Sequence, residues 1–211
     1  MTRAFRLVET ITIIMITAKK KIPIILASSS PRRRDLLRQI DVDFTVDPAE
    51  VNERILPGEV PEDYAIRVSL DKARTAAGKA GKGIIIAADT IVVFKKVILG
   101  KPADSRDAER MLEMLSGKMH RVITGLSVMN AASGVVSCKT STTRVWFRNL
   151  DEDEVKKYVL SGEPLDKAGA YGIQGKGALL VSRIEGCYNN VVGLPLALLD
   201  EMLRKFGIKL L

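Results

Sequence analysis

Residues 26–34 read Leu-Ala-Ser-Ser-Ser-Pro-Arg-Arg-Arg, so three hydroxyls are followed at once by three guanidinium groups. Hydroxyls, backbone amides and arginine forks are donors suited to phosphate oxygens. Further along, single charged residues interrupt or border apolar runs: Glu53, Lys72, Asp89 and Lys101, followed by a glycine-rich loop that carries Asp166, Lys167 and Gln174. As a set, Ser28, Arg32, Arg33, Glu53, Lys72, Asp89, Lys101 and that loop suit a triphosphate held by cations while a carboxylate-bound divalent metal prepares a water for attack.

The elements that must position these groups follow from hydrophobic periodicity. Ile22, Ile24, Ile25, Leu26 and Ala27 suit a short buried strand, and Pro31 suits the first position of a helix with Ser30 at its N-cap. The amides of that first turn and the helix dipole then face the serine loop, a natural anion site. Three arginines in a first turn oppose the dipole, which favours an anion there over an ordinary capped helix with a solvated basic face. Residues 42–46 read as a second strand, residues 48–61 as a loop and residues 62–79 as an amphipathic helix, with Lys72 bordering its apolar stripe. Residues 84–88 form a continuous apolar run expected of a central strand, which Asp89 is expected to end; ligands gather outside the carboxyl ends of such strands. Residues 90–94 and 97–99 suggest a hairpin about Lys95 and Lys96, which would set Lys101 roughly opposite Thr90 and beside Asp89. Helices are expected over residues 104–115, 150–160 and 196–206, and strands over residues 121–130, 135–147 and 178–184. This alternation argues for an α/β fold with a mixed twisted sheet.

Composition narrows the classes of function. A formal net charge of +8 over 211 residues fits anionic partners. The scattered aromatics offer no stacking platform, which argues against nucleic acid. Cys138 and Cys187 stand alone and His120 is the single histidine, so neither a zinc site nor a multi-histidine cage is indicated; a metal must be held by carboxylates. No run approaches the roughly 18 apolar residues of a membrane span, and unpaired cysteines fit a reducing, cytoplasmic setting. Residues 1–20 are expected to form an N-terminal extension, with Met15 a possible alternative start, and residues 21–211 a single domain. There is no P-loop and no kinase glycine loop.

The chain resembles the Maf (septum-formation) nucleotide pyrophosphatases. The matching motifs are residues 26–33, Ala88-Asp89-Thr90, Gly100-Lys101-Pro102, Leu115-Ser116-Gly117, residues 161–169 (Ser-Gly-Glu-Pro-Leu-Asp-Lys-Ala-Gly), residues 171–175 (Tyr-Gly-Ile-Gln-Gly) and residues 190–195 (Asn-Val-Val-Gly-Leu-Pro). The resemblance implies two lobes around a deep cleft, similar to the inosine-triphosphate pyrophosphatases, and a homodimer. It implies cleavage between the α and β phosphates of a nucleoside triphosphate with magnesium or manganese, and it makes Asp89 the proton acceptor. Glu53, Lys72 and Lys101 match other charged cleft positions, with Glu53 and Asp89 the carboxylates for the metal. Arg32, Thr90 and Gln174 match positions that mark a dTTP/UTP branch. A purine or 7-methyl-GTP pyrophosphatase on the same scaffold, and a non-enzymatic basic regulator of septum formation, are the rivals to that reading.

Overall fold

The computed structural model describes residues 22–211; the expected N-terminal extension and Met15 lie outside the described residues. Strand β1 (Ile24–Leu26) leads into helix α1 (Pro31–Gln39), followed by β2 (Thr45–Val46), α2 (Pro61–Ala80) and β3 (Ile84–Phe94). Then come β4 (Val97–Leu99), α3 (Ser105–Leu115), β5 (Met119–Asn130), β6 (Val136–Phe147) and α4 (Glu152–Leu160). Three short 3-10 segments (Glu163–Asp166, Ala168–Ala170, Gly175–Leu180) precede β7 (Val181–Glu185), α5 (Tyr188–Val192) and α6 (Leu196–Arg204). The sheet runs β2-β1-β3-β5-β6-β7, with β4 also on β3. Pairs β1/β2 and β1/β3 are parallel and the others antiparallel, so the sheet is mixed. Among the described residues no helix is long and apolar enough to cross a membrane.

Strand β3 is longer than its apolar run suggests. It does not stop at Asp89 but continues to Phe94, paired with β5 from Ile84↔Asn130 to Val93↔Arg121. Its other edge is shared. Strand β1 covers it as far as Leu26↔Ile86, and β4 takes over at Leu99↔Val92, leaving residues 87–91 with a strand on one side only. That gap falls at Asp89 and Thr90.

Side-chain alternation along β3 explains the layers. The odd residues Ile85, Ala87, Ile91 and Val93 face α2, whose small residues Ala65, Ala73 and Ala76 let it approach closely. A Cβ on Gly125 of β5 would lie 2.1 Å from the Ala65 carbonyl oxygen. The even residues face two separate cores. Ile84, Ile86 and Ala88 pack with Leu37, Leu199 and Met202 beneath α1 and α6, whereas Val92 and Phe94 pack with Leu112, Leu115, Phe147 and Val159 beneath α3 and α4. Two lobes therefore share β3 and β5, and the open stretch of β3 lies where they part.

Candidate active site

A cleft of about 970 Å³ fills that parting, and Ser28, Arg32, Arg33, Glu53, Lys72, Asp89, Thr90, Lys101 and Gln174 all line it. The long-range folding brings them together, but their roles divide in ways the sequence did not reveal.

At the start of α1, Pro31 takes the first helical turn and Ser30 the N-cap position, yet the Ser30 side chain makes no capping hydrogen bond. Ser28 Oγ accepts instead from the Ser30 N–H at 3.2 Å and from Arg33 Nη1 at 3.0 Å. Arg33 is buried and also donates to the Gly193 carbonyl at 2.8 Å through Nε and to Thr90 Oγ1 at 3.0 Å through Nη2. Burial pushes its pKa down, partly opposed by nearby Asp89. With these bonds Arg33 ties α1 to β3 and to the turn after α5, and two of its N–H groups remain for a ligand. The Thr90 hydroxyl is likewise engaged, 2.9 Å from Thr124 Oγ1. Arg32 is different: its Nη1 reaches Asp166 at 3.1 Å across the cleft mouth, and both side chains are partly exposed. Arg34 is absent from the cleft lining, so only two of the three arginines serve it.

The other wall comes from α2. Tyr64, Val68 and Lys72 are spaced by four residues and lie on one helix face, which carries the Lys72 ammonium past the apolar contact and into the cleft. Lys72 Nζ sits 2.8 Å from Asp89 Oδ1 and 2.7 Å from Glu53 Oε1. The Lys72 and Asp89 side chains are only 12% and 10% exposed, and Glu53 is 53% exposed. A carboxylate survives inside an apolar strand because this ammonium compensates it and the strand edge beside it is open. The cation paired with Asp89 is therefore Lys72, while Lys101 lines the cleft exposed and without a protein partner among the described residues. Tyr64, unforeseen as a site residue, donates to the Glu53 carbonyl at 2.8 Å and holds the loop that carries it; its spacing from Lys72 was the available signal. Burial, with Asp89 and Glu53 adding to it, pushes the Tyr64 phenol up to about 12.

Gln174 is exposed in extended backbone (φ −96°, ψ 169°), just before Gly175 at φ +63°. His120 does not join the cleft; it is buried with Nε2 2.7 Å from the Tyr171 hydroxyl. A Ser-His-Asp triad is thus ruled out by position.

Among the described residues no group of three or more His, Cys, Asp or Glu side chains gathers as a preformed metal cage. The donor set nonetheless fits a hard divalent cation of the magnesium type, which is held by one or two carboxylates and completes its shell with substrate phosphates and water. Asp89 and Glu53 already converge on one cationic group, and Asp89 Oδ2 has no protein partner among the described residues.

The family model described as "Maf-like protein" matches residues 23–206. The dTTP/UTP pyrophosphatase of Pelotomaculum thermopropionicum is 48% identical over 188 residues, covering 89% of this chain and 98% of that protein. The dTTP/UTP pyrophosphatase of Methanosarcina mazei is 47% identical over 186 residues, covering 88% and 94%. Among solved structures, the Ham1 protein of Staphylococcus aureus is 15% identical with a TM-score of 0.48, covering 87% of this chain and 99% of that one.

Proposed function

The chain belongs to the Maf-like family, and from that premise we propose that it hydrolyses dTTP and UTP, with related modified pyrimidine nucleotides, to the nucleoside monophosphate and pyrophosphate. The observation that carries this reading is the Lys72 ammonium bridging Asp89 and Glu53 in a cleft that is also lined by Arg32 and Arg33 at the start of α1. The 47–48% identity to two dTTP/UTP pyrophosphatases, over nearly all of the chain, supports the same activity and nucleotide-pool sanitation as its purpose.

In this reading the first-turn amides of α1, Arg32 and the free N–H groups of Arg33 bind phosphate oxygens, and Ser28 keeps Arg33 in place. Asp89 accepts the proton of a water whose oxygen attacks the α phosphorus. The bond from that phosphorus to the bridging oxygen breaks, and pyrophosphate leaves with the electron pair. Lys72 holds the Asp89 carboxylate in position, and Lys101 faces the negative charge that grows on the leaving group. A magnesium or manganese ion held by Asp89 and Glu53 would supply charge neutralisation and a more acidic water. Gln174 offers one donor and one acceptor, matching the O4 and N3–H edge common to uracil and thymine; cytosine presents the reverse pattern.

A homodimer is proposed from the family. A cytoplasmic setting accords with Cys138 and Cys187, both free of disulfides. The test is pyrophosphate release from dTTP, UTP, CTP, GTP, dATP and 7-methyl-GTP, with and without magnesium. The proposal expects dTTP and UTP to lead in the presence of metal and activity to vanish with a chelator. Preference for GTP or 7-methyl-GTP would refute the pyrimidine assignment, and inertness to every triphosphate would refute catalysis.

A further inference from the structure

Gln174 stands on a loop gripped from behind the cleft. Glu163 does not line the cleft, and its carboxylate contacts no cation among the described residues. It accepts through Oε2 from the Lys176 N–H at 3.1 Å, and through Oε1 from the Gly177 N–H at 3.1 Å and the Tyr158 hydroxyl at 3.0 Å. The Tyr158 oxygen in turn accepts from the Gly172 N–H at 3.2 Å. One carboxylate and one phenol thus hold the backbone on both sides of Gln174. The side chain of Gln174 has no protein hydrogen bond among the described residues, so only the backbone fixes where it points.

The glycines of this loop record the same contacts. A Cβ on Gly175 would lie 2.9 Å from Glu163 Oε2, and one on Gly177 would lie 2.6 Å from the Tyr158 hydroxyl oxygen. Lys167 Nζ donates to the Glu163 backbone carbonyl at 2.5 Å, which anchors the carboxylate's own segment. A carboxylate only accepts, so it can satisfy all three donors; an amide of the same shape turns an NH₂ toward at least one of them. Burial raises the Tyr158 phenol above its ordinary range, which keeps it protonated and able to donate.

We propose that Glu163, through Tyr158 and the loop amides, is a positioning residue for base recognition: it sets where Gln174 meets the pyrimidine without touching the nucleotide. This rests on the base-reading role assigned to Gln174 above. The experiment is steady-state kinetics with UTP and CTP, alongside melting curves, for Glu163→Gln, Tyr158→Phe, Gln174→Ala and the Glu163→Gln/Gln174→Ala double variant. A displaced recognition group costs up to about 10²-fold per ångström. Glu163→Gln is accordingly expected to raise the KM for UTP about fivefold or more, to lower the UTP-to-CTP ratio of kcat/KM to match, and to leave kcat within about threefold. In the Gln174→Ala background the same change should move that ratio by less than about twofold, because the two residues act as one unit. If Glu163→Gln does not fold, Tyr158→Phe carries the same expectations. Unchanged KM and selectivity in the folded variants, or effects that simply multiply in the double variant, would overturn the inference. A wild-type protein without UTP-over-CTP preference would instead overturn the underlying reading of Gln174, and this inference with it.

Discussion

Adjacent arginines on α1 should differ in how much stability their loss removes. Replacing Arg33 with methionine keeps the unbranched stem as far as the position of Nε and removes three hydrogen bonds. The Gly193 carbonyl loses its 2.8 Å donor and keeps only a 3.4 Å contact from Thr90, whereas Ser28 keeps the Ser30 N–H and Thr90 keeps Thr124. A buried group left poorly satisfied costs about 1–3 kcal/mol and each hydroxyl bond about 0.5–1.5 kcal/mol. Relief from burying a charge offsets part of that, leaving a net loss of about 2–4 kcal/mol. For a chain of this size about 1 kcal/mol moves Tm by 2–4 °C, so Arg33→Met should melt about 5–15 °C lower. Arg32→Met removes only a partly exposed ion pair to Asp166, worth about 0–1 kcal/mol, and should melt within about 4 °C of wild type while losing phosphate affinity as a raised KM. Differential scanning calorimetry and pyrophosphate-release kinetics on the same preparations decide it. Equal melting losses in the two variants, or a larger one for Arg32→Met, would refute the assignment of Arg33 as the tie between α1 and β3.

Three further outcomes follow from the same geometry. Burial pushes His120 down to about 4 from 6.5, so stability from its neutral form is complete above pH 6.5 and falls as the unfolded chain takes up a proton, until about pH 4. That is worth about 3 kcal/mol in all, so the fall of Tm between pH 7 and 4.5 should flatten in His120→Gln; an unchanged slope would contradict a buried neutral imidazole. Gly125→Ala should fail to yield folded protein or melt far lower, because its Cβ meets Ala65 backbone atoms rather than a movable side chain; a near-native melting curve would show that α2 can shift away from β5. Lys101→Ala should keep Tm within about 2 °C, since the residue is exposed and has no partner among the described residues, yet lower kcat at least about tenfold; a silent variant would remove Lys101 from the reaction.

Local signals in the sequence reached some parts of this site and not others. The apolar run of β1, Pro31 and the hairpin about Lys95 and Lys96 all appear where local rules put them, because each depends on neighbours in the chain. The extent of β3 was hidden because Asp89 and Thr90 interrupt its apolar pattern. Asp89 is tolerated there through Lys72 and Thr90 through Arg33 and Thr124, all distant in sequence, beside a strand edge left open between β1 and β4. The cation for Asp89 was sought in Lys101 by extrapolating a register, whereas helix α2 supplied it. Arg33 carries the same chemical signal as Arg32, and only its bonds to Gly193 and Thr90 show that it also ties the fold together. Residues 178–180 were read as the start of a strand, but they end a 3-10 segment, Gly175–Leu180, pinned by Glu163, and β7 begins at Val181. Helix α5, Tyr188–Val192, is too short to show a period.

In the proposed reaction this cleft cleaves the bond between the α and β phosphates of a pyrimidine nucleoside triphosphate with Asp89 as proton acceptor. Chromatographic analysis of UTP incubated with magnesium and either wild-type protein or Asp89→Asn tests it most directly. Wild-type protein should give UMP and pyrophosphate in equal amounts, and the folded Asp89→Asn protein should be slower by about 10²–10⁴, the weight of a lost general base. Release of UDP and phosphate would rule out cleavage between the α and β phosphates, and an Asp89→Asn rate above about a tenth of wild type would rule out Asp89 as the proton acceptor.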